Sequence, residues 1–469
     1  MRDFKNSANN TEQAHMRFGT GTLSSLVIMI SLILSGCGGG SSGSGLTVPD
    51  VTVPPPASLE VLHASQDAPA VNILVEDNAV ASNLDFGASA NVTVTSGSFD
   101  IQVDGILPTT TTTVIGPATL DVAGDDRVTV IAAGPVATIE PLILIEPQAE
   151  VAAGDVRVRV VHAASTAPMV DVYVNAPGTD ITTVAPLGTF EFRGTLGPVT
   201  VPAGDYQIVV TVAGDPAAVA FDSGSVGLAG GSDLVVAAIA NVATGAAAVE
   251  LAVLTGTGSL NILDVNATAD VRVVHASPDA PAVDVVAADN FAAPAVSNLA
   301  FPEVTPYLNL APGDLNVKVV PTGVTTPVVI DADLSLVAGT ATTVMAVNTL
   351  AEIEPLLLSD NLRRIGTEAQ VRIVHASPSA GEVDIYVVAP GASIDAVDPN
   401  FSAVPFLADT GYVSLDAGDY DVVVTPTGTK TPAIGPATIT VAAGGIYTAA
   451  ARDEVGGGLP LGLILFDDF

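Results

Sequence analysis

Along most of the chain, short runs of Val, Ile, Leu and Ala alternate with polar residues at the two-residue period of a strand. Gly, Pro and Asp break the runs. The clearest stretch lies between residues 268 and 359. Residues 270–276 alternate and predict a strand, Ser277-Pro278-Asp279-Ala280-Pro281 predicts a turn, and residues 283–287 predict a returning strand. Further strands are expected at 306–310, 315–320, 327–336, 340–347 and 352–358. About seven short strands with turns every 8–12 residues predict a Greek-key β-sandwich. No helical stripe of apolar residues follows the N-terminal region.

The phrase that opens this stretch recurs. Leu62-His63-Ala64-Ser65, Val161-His162-Ala163-Ala164, Val274-His275-Ala276-Ser277 and Val374-His375-Ala376-Ser377 divide the chain into four modules of about one hundred residues. The expected architecture is all-β: four tandem Greek-key sandwiches, immunoglobulin- or transthyretin-like, at 58–147, 155–255, 268–359 and 368–469, with a linker over 256–267. Residues 459–469 read as the closing strand of the last one. Ala203-Gly204-Asp205-Tyr206 and Ala417-Gly418-Asp419-Tyr420 read as matching hairpin turns. Odd modules resemble each other (Ser82-Asn83-Leu84-Asp85-Phe86 and Ser297-Asn298-Leu299-Ala300-Phe301), and so do even ones (Asp171-Val172-Tyr173 and Asp384-Ile385-Tyr386). The duplicated unit therefore reads as a pair, near 58–255 and 268–469. Modules within a pair are expected to pack more firmly than the pairs do with each other, with residues 256–268 as the hinge that a protease cuts first.

As it stands at 274–284, Val-His-Ala-Ser-Pro-Asp-Ala-Pro-Ala-Val-Asp resembles the DUF4397 family. The fourth copy matches well. The first departs at Gln66 and Asn72, and the second at Ala164-Ser165-Thr166. The resemblance covers nearly all of the chain after the N-terminal region. It implies bacterial extracytoplasmic β-sandwich domains, often in tandem, and transfers no catalytic residue.

Every histidine except His15 occupies this one position in its own copy, so module geometry rather than a unique active site sets the residue. Nine residues on stands an acid or amide: Asn72, Asp171, Asp284 and Asp384. A strand, a tight turn and a returning strand would bring each pair together. One reading is a catalytic His–Asp pair awaiting a nucleophile. Ser65, Ser277 and Ser377 follow the histidines, but the second copy has Ala164, and no Gly-x-Ser-x-Gly elbow accompanies them. The expected reading is structural: His63 with Asn72, His162 with Asp171, His275 with Asp284 and His375 with Asp384, each histidine bonding the acid or a loop carbonyl and so locking the turn. One histidine and no cysteine per module do not make a zinc site. Asp125-Asp126 and Asp467-Asp468 are short acidic pairs that read as solvated charge, with weak calcium binding between modules left open. No cofactor is expected.

Charge narrows the partners. Against 14 Lys and Arg stand 50 Asp and Glu, for a net charge of -36, which repels nucleic acid. The core must be built from small aliphatics, because aromatics make up 4% of the chain and Trp is absent. Tyr173 and Tyr386, on expected strands, give only a faint hint of a glycan platform. The single cysteine, Cys37, explains itself by position. It closes Leu34-Ser35-Gly36-Cys37 after an apolar run over 23–34 that is too short to span a bilayer. That sequence resembles the bacterial lipobox, which implies acylation of Cys37, a signal peptide over 1–37 with Met16 as the working start, and, from Gly38, an outer-membrane destination. Residues 38–57, rich in Gly, Ser and Pro, read as a tether. The function expected is a non-catalytic envelope lipoprotein that binds, adheres or scaffolds. It would contact the membrane through its lipid and an unidentified protein or glycan through its modules. The alternative is an accessory glycan-binding protein or a His–Asp enzyme.

Overall fold

Residues 55–468 are described by a computed structural model; the expected signal peptide, Cys37 and most of the expected tether lie outside the described residues. The β-branched runs form strands because their alternate side chains find an apolar partner on one face or both. Module one holds β1 (Pro56–Ala64), β2 (Val71–Val75), β3 (Asn78–Leu84), β4 (Ser89–Thr95), β5 (Gly97–Ile106), β6 (Thr111–Val122), β7 (Asp126–Ala133) and β8 (Glu140–Pro147). Module two holds β9 (Asp155–His162), β10 (Val170–Asn175), β11 (Gly188–Phe190), β12 (Thr195–Pro202), β13 (Gly204–Val212), β14 (Asp215–Leu228), β15 (Asp233–Ala240), β16 (Val249–Leu254) and β17 (Ser259–Ile262). Module three runs through β18 (Ala269–His275), β19 (Val283–Ala287), β20 (Val296–Leu299), β21 (Leu308–Leu310), β22 (Gly313–Pro321), β23 (Ile330–Leu336), β24 (Ala341–Val347) and β25 (Glu354–Asp360). Module four runs through β26 (Ala369–His375), β27 (Val383–Val388), β28 (Phe401–Val404), β29 (Val413–Leu415), β30 (Gly418–Pro426), β31 (Ile434–Val441), β32 (Ile446–Arg452) and β33 (Gly462–Asp467).

Each module is a sandwich of two sheets. In the first, the orders are β4-β1-β7-β8 and β3-β2-β5-β6, with β1 and β7 parallel at the centre. The other modules repeat this order, and module two adds β17 outside β16. The chain between β19 and β21 carries the strand the sequence pattern missed: β20 is four residues long and half exposed, so it has little apolar alternation to show.

The histidine strand is central in its sheet and buried on both faces. In β1, Ala57, Leu59 and Val61 point into the sandwich, while Leu62 and Ala64 point outward to a second buried cluster with Val161, Val235 and Leu254 of module two. In β26, Val371 and Ile373 point inward, while Val374 and Ala376 meet Val274, Met345 and Val347 of module three. Modules one and two thus lie back to back through these sheets, and modules three and four do the same.

The segment 256–267, expected as a linker and hinge, is a correction. Residues 259–262 form β17, paired antiparallel with β16, and Ser259 Oγ donates to Gly87 O of module one at 3.1 Å. The outer edge of β16 takes up this strand, with Ile262 packed against the module-two core and Leu260 left 64% exposed. Residues 148–150 and 152–154, within a pair, are exposed instead.

Candidate functional site

All four motif histidines lie at or next to the end of their strand and point into the sandwich, where the turn folds over them. Their Nε2 atoms lie 2.9 Å from Pro69 O, 3.1 Å from Pro168 O, 3.0 Å from Pro281 O and 2.6 Å from Gly381 O. A carbonyl can only accept, so each ring carries its proton on Nε2. Nδ1 of His63 then accepts from Ser65 N at 3.3 Å, and Nδ1 of His375 from Ser377 N at 3.4 Å. An aromatic ring stands edge-on to each imidazole: Phe86, Phe192, Phe301 and Phe406, with centroids 6.0 to 6.4 Å away. Burial lowers the pKa of all four imidazoles, that of His63 to about 4. They are neutral rings inside a core.

The expected pairing of His63 with Asn72, His162 with Asp171, His275 with Asp284 and His375 with Asp384 is corrected by the structure. Strand parity separates the partners. Val71 and Ile73 of β2 face the core, so Asn72 between them faces out, and the same holds for Asp171 between Val170 and Val172. On that outer face the acids hold backbone instead. Asp284 accepts from Asn298 N at 2.8 Å and Gly323 N at 2.9 Å; Asp384 accepts from Ala403 N at 2.8 Å and Gly428 N at 2.9 Å. Asp171 takes Gly214 N and the Thr189 hydroxyl, and Asn72 takes Asn83 N. Asn83, Asn298 and Ala403 have φ of 56°, 56° and 52°, each in an edge strand beside a register shift. The side chain of the adjacent strand satisfies an N–H that the bulge takes out of the ladder. These two backbone bonds hold the Asp284 carboxyl below its usual range, that to Gly323 N first.

The residues that the sequence reading passed over lie three before each histidine: Glu60, Arg159, Arg272 and Arg372. Parity turns them to the inter-module face. Arg272 and Arg372 are each 2% exposed. Arg272 donates through Nε to its own module's Thr343 at 2.6 Å and reaches Asp468 of module four. Arg372 donates to its own Thr448 at 3.2 Å and reaches Asp360 of module three at 2.6 Å. Thr343 donates to Asp360, and Thr448 donates to Asp468. Tyr307 and Tyr412 lie under the guanidinium groups at 4.7 and 4.6 Å. Asp468, expected as solvated charge, is thereby corrected to one half of a buried clamp, because β33 carries it to the packed face of module four. In the first pair Arg159 joins Glu146 across the boundary, while Glu60 pairs with Arg127 at 2.9 Å. A constant charged position flanked by Val could have signalled a buried ionic interface.

Polar contacts join the pairs. Arg363, in the connector of modules three and four, donates to Ala68 O at 2.6 Å and pairs with Asp85 beside the His63 turn. An open recess of about 450 Å³ lies here, lined by Gln66, Asp67, Asn241, Asp270, Asn309 and Arg364 among others. Modules two and three hold apolar cavities of about 90 and about 60 Å³ between their sheets. Tyr173 and Tyr386 are 4% and 1% exposed, so neither ring is a platform. Among the described residues no group of three or more His, Cys, Asp or Glu is placed to hold a metal ion.

The sequence model described as "Domain of unknown function (DUF4397)" matches residues 57–173, 159–261 and 269–386. The chain belongs to the DUF4397 family. Each match begins on a histidine strand or within three residues of it, and the third ends inside β27 of the fourth sandwich. No curated protein matches the chain. Among solved structures, the Bacillus anthracis TIE protein is similar at 10% identity, covering 85% of this chain and 68% of that one, with a TM-score of 0.15.

Proposed function

We propose that this DUF4397 protein is a non-catalytic lipoprotein of the bacterial cell envelope, anchored by acylated Cys37. It presents two back-to-back module pairs as a binding or scaffolding surface. The observation that carries this reading is the repeated commitment of the histidines. In every module the ring gives its Nε2–H to a turn carbonyl and is at most 1% exposed, so Nδ1, the nitrogen left to take a proton, is shut away from solvent and substrate. The acids nine residues on are likewise occupied by backbone N–H groups. The lipobox and the tether support the anchor, and exposed loops at the sandwich ends are where recognition would reside. Buried Tyr173 and Tyr386 favour a protein ligand over a glycan.

Labelling cells with a clickable fatty acid tests the anchor. The wild-type chain is expected to take up label and Cys37→Ser to lose it; equal labelling of both overturns the anchor. Capture from intact cells with the lipid-free chain, together with surface protease shaving, tests the binding role. Turnover of a substrate that His275→Ala alone abolished would overturn the non-catalytic reading.

A further inference from the structure

The repeat is broken where three modules and a connector meet. The open recess of about 450 Å³ there is walled by Gln66 and Asp67 of module one, residues 241–245 of module two, Asp270 of module three and Arg364 of the connector between modules three and four. Two of these residues have no counterpart in the other copies. Gln66 stands where the other modules have Ser165, Pro278 and Pro378. Arg363-Arg364 has no equivalent in the connector of modules one and two, where residues 148–154 hold no Lys or Arg. Duplication accounts for the four histidines but not for these.

Arg364 is also an exception in its bonding. Among the described residues every other Lys and Arg is paired with a carboxylate or a backbone carbonyl. Arg364 is exposed and paired with neither, in a chain where 50 Asp and Glu face 14 Lys and Arg. Its backbone is held on both sides: Arg363 donates to Ala68 O at 2.6 Å, and Gly366 N donates to Asp67 O at 2.7 Å. Among the described residues the Gln66 amide has no partner either, while its carbonyl accepts from Arg363. The acids opposite are fixed through one oxygen each. Asp67 Oδ1 accepts from Val136 N at 2.8 Å, and Asp270 Oδ1 accepts from the Asn309 amide at 2.8 Å and the Thr268 hydroxyl at 2.9 Å. Their Oδ2 atoms remain to accept from a ligand.

We propose that this recess binds the free C-terminal end of a peptide chain, with its carboxylate on Arg364. The proposal rests on the reading of the molecule as a binder of proteins. A guanidinium takes a carboxylate through two parallel hydrogen bonds. The N–H groups of the ligand's last residues then meet the Oδ2 atoms of Asp67 and Asp270 and the amide oxygen of Gln66. An inorganic anion has the charge but not the row of donors. A segment with many acids is repelled by a net charge of -36, whereas a chain end brings a single carboxylate. The walls are already hydrogen-bonded in place, so binding adds little ordering of the backbone.

Calorimetric titration of the lipid-free chain with acetyl-Ala-Ala-Ala, as the free acid and as the C-terminal amide, tests this. The acid is expected to bind with a dissociation constant on the order of 100 µM and the amide at least about tenfold more weakly. Arg364→Gln is expected to weaken binding of the acid at least about tenfold and to leave the melting temperature unchanged, because the side chain is exposed and unpaired. Arg364→Lys keeps the charge but loses the fork, and is expected to recover only part of the affinity. Equal binding of acid and amide, binding that Arg364→Gln leaves intact, or no binding of the acid at about 5 mM would each overturn the proposal. So would tighter binding of glucuronate than of the peptide. If Arg364→Gln captures the same protein from cells as the wild-type chain, the binding role stands and this site falls. Turnover that His275→Ala alone abolishes would remove the broader reading and leave the titration result standing.

Discussion

At the scale of the residue, the histidines show how one side chain is fixed by what the fold leaves it. A buried imidazole must satisfy Nε2–H, and the turn carbonyl six residues on is within reach. Removing the ring orphans that carbonyl and opens a hole beside Phe301, so His275→Ala is expected to lower stability by about 1–3 kcal/mol, read from chemical denaturation. The pH dependence follows from the same burial. His63 titrates at about 4 in the folded chain against 6.5 for the free group. As pH falls below 6.5 the unfolded chain takes up the proton first, so stability is lost between about 6.5 and about 4 and then levels off. The loss from this one group is about 3 kcal/mol. Glu250 works in the opposite direction. It is 4% exposed, and burial raises its pKa from 4.5 to about 7. The unfolded carboxyl ionises first, so stability is lost as pH rises from 4.5 to about 7. Glu250→Gln is expected to stabilise the chain at pH 8 by up to about 3 kcal/mol and to leave it unchanged near pH 4, a contrast that melting at the two pH values checks. The four equivalent histidines were legible in the sequence, with a loop carbonyl as one of the two partners expected; which carbonyl takes the bond was not, because every residue carries one.

At the scale of the element, strand parity decides which way each motif residue points. Asp284 and His275 are nine residues apart across a turn, yet they serve opposite faces of module three. Asp284 replaces two hydrogen bonds that the β20 bulge and the β22–β23 turn take out of the ladder. Asp284→Ala is expected to destabilise the chain by about 1–3 kcal/mol and to speed amide exchange at Asn298 and Gly323, the two N–H groups left bare. The inward alternation of Val283 and Val285 was visible in the sequence, and it already places Asp284 outside. Parity, and not nearness across the turn, decides which residues can meet. β20 escaped notice for a related reason: half-exposed and only four residues long, it has no apolar rhythm.

At the scale of the whole molecule, ionic clamps and aliphatic faces bind the sandwiches in twos. The buried cluster of Arg272, Arg372, Asp360 and Asp468 balances two charges of each sign, and each arginine crosses to the other module's acid. Arg372→Met leaves Asp360 short of its closest cation in a buried site and is expected to lower stability by about 3–5 kcal/mol in a denaturation series. Limited proteolysis checks the arrangement. Its first cut is expected at 148–154, where the connector is largely exposed, rather than at 256–268, where β17 is paired. The nicked halves are expected to co-elute, held by the buried face of modules one and two.

Alternation of Val, Ile and Ala with polar residues, the returning His-Ala phrase and the odd–even likeness were sufficient to define four β-modules made as two pairs. These are local properties: a period of two and a turn signal act over a few residues, and duplication copies them intact. Which face of a doubly buried strand meets its own sandwich and which meets a neighbour was decided only in three dimensions. Both faces of β1 and β26 are buried, and the outward one mixes Leu62 and Val374 with Glu60 and Arg372, so an alternation that ordinarily marks a solvent face here marks a packed one. The same holds for the partners of Arg272 and Arg372, which lie about one hundred or more residues away or in another module, and for β17, whose place depends on an edge that only the assembled sheet creates.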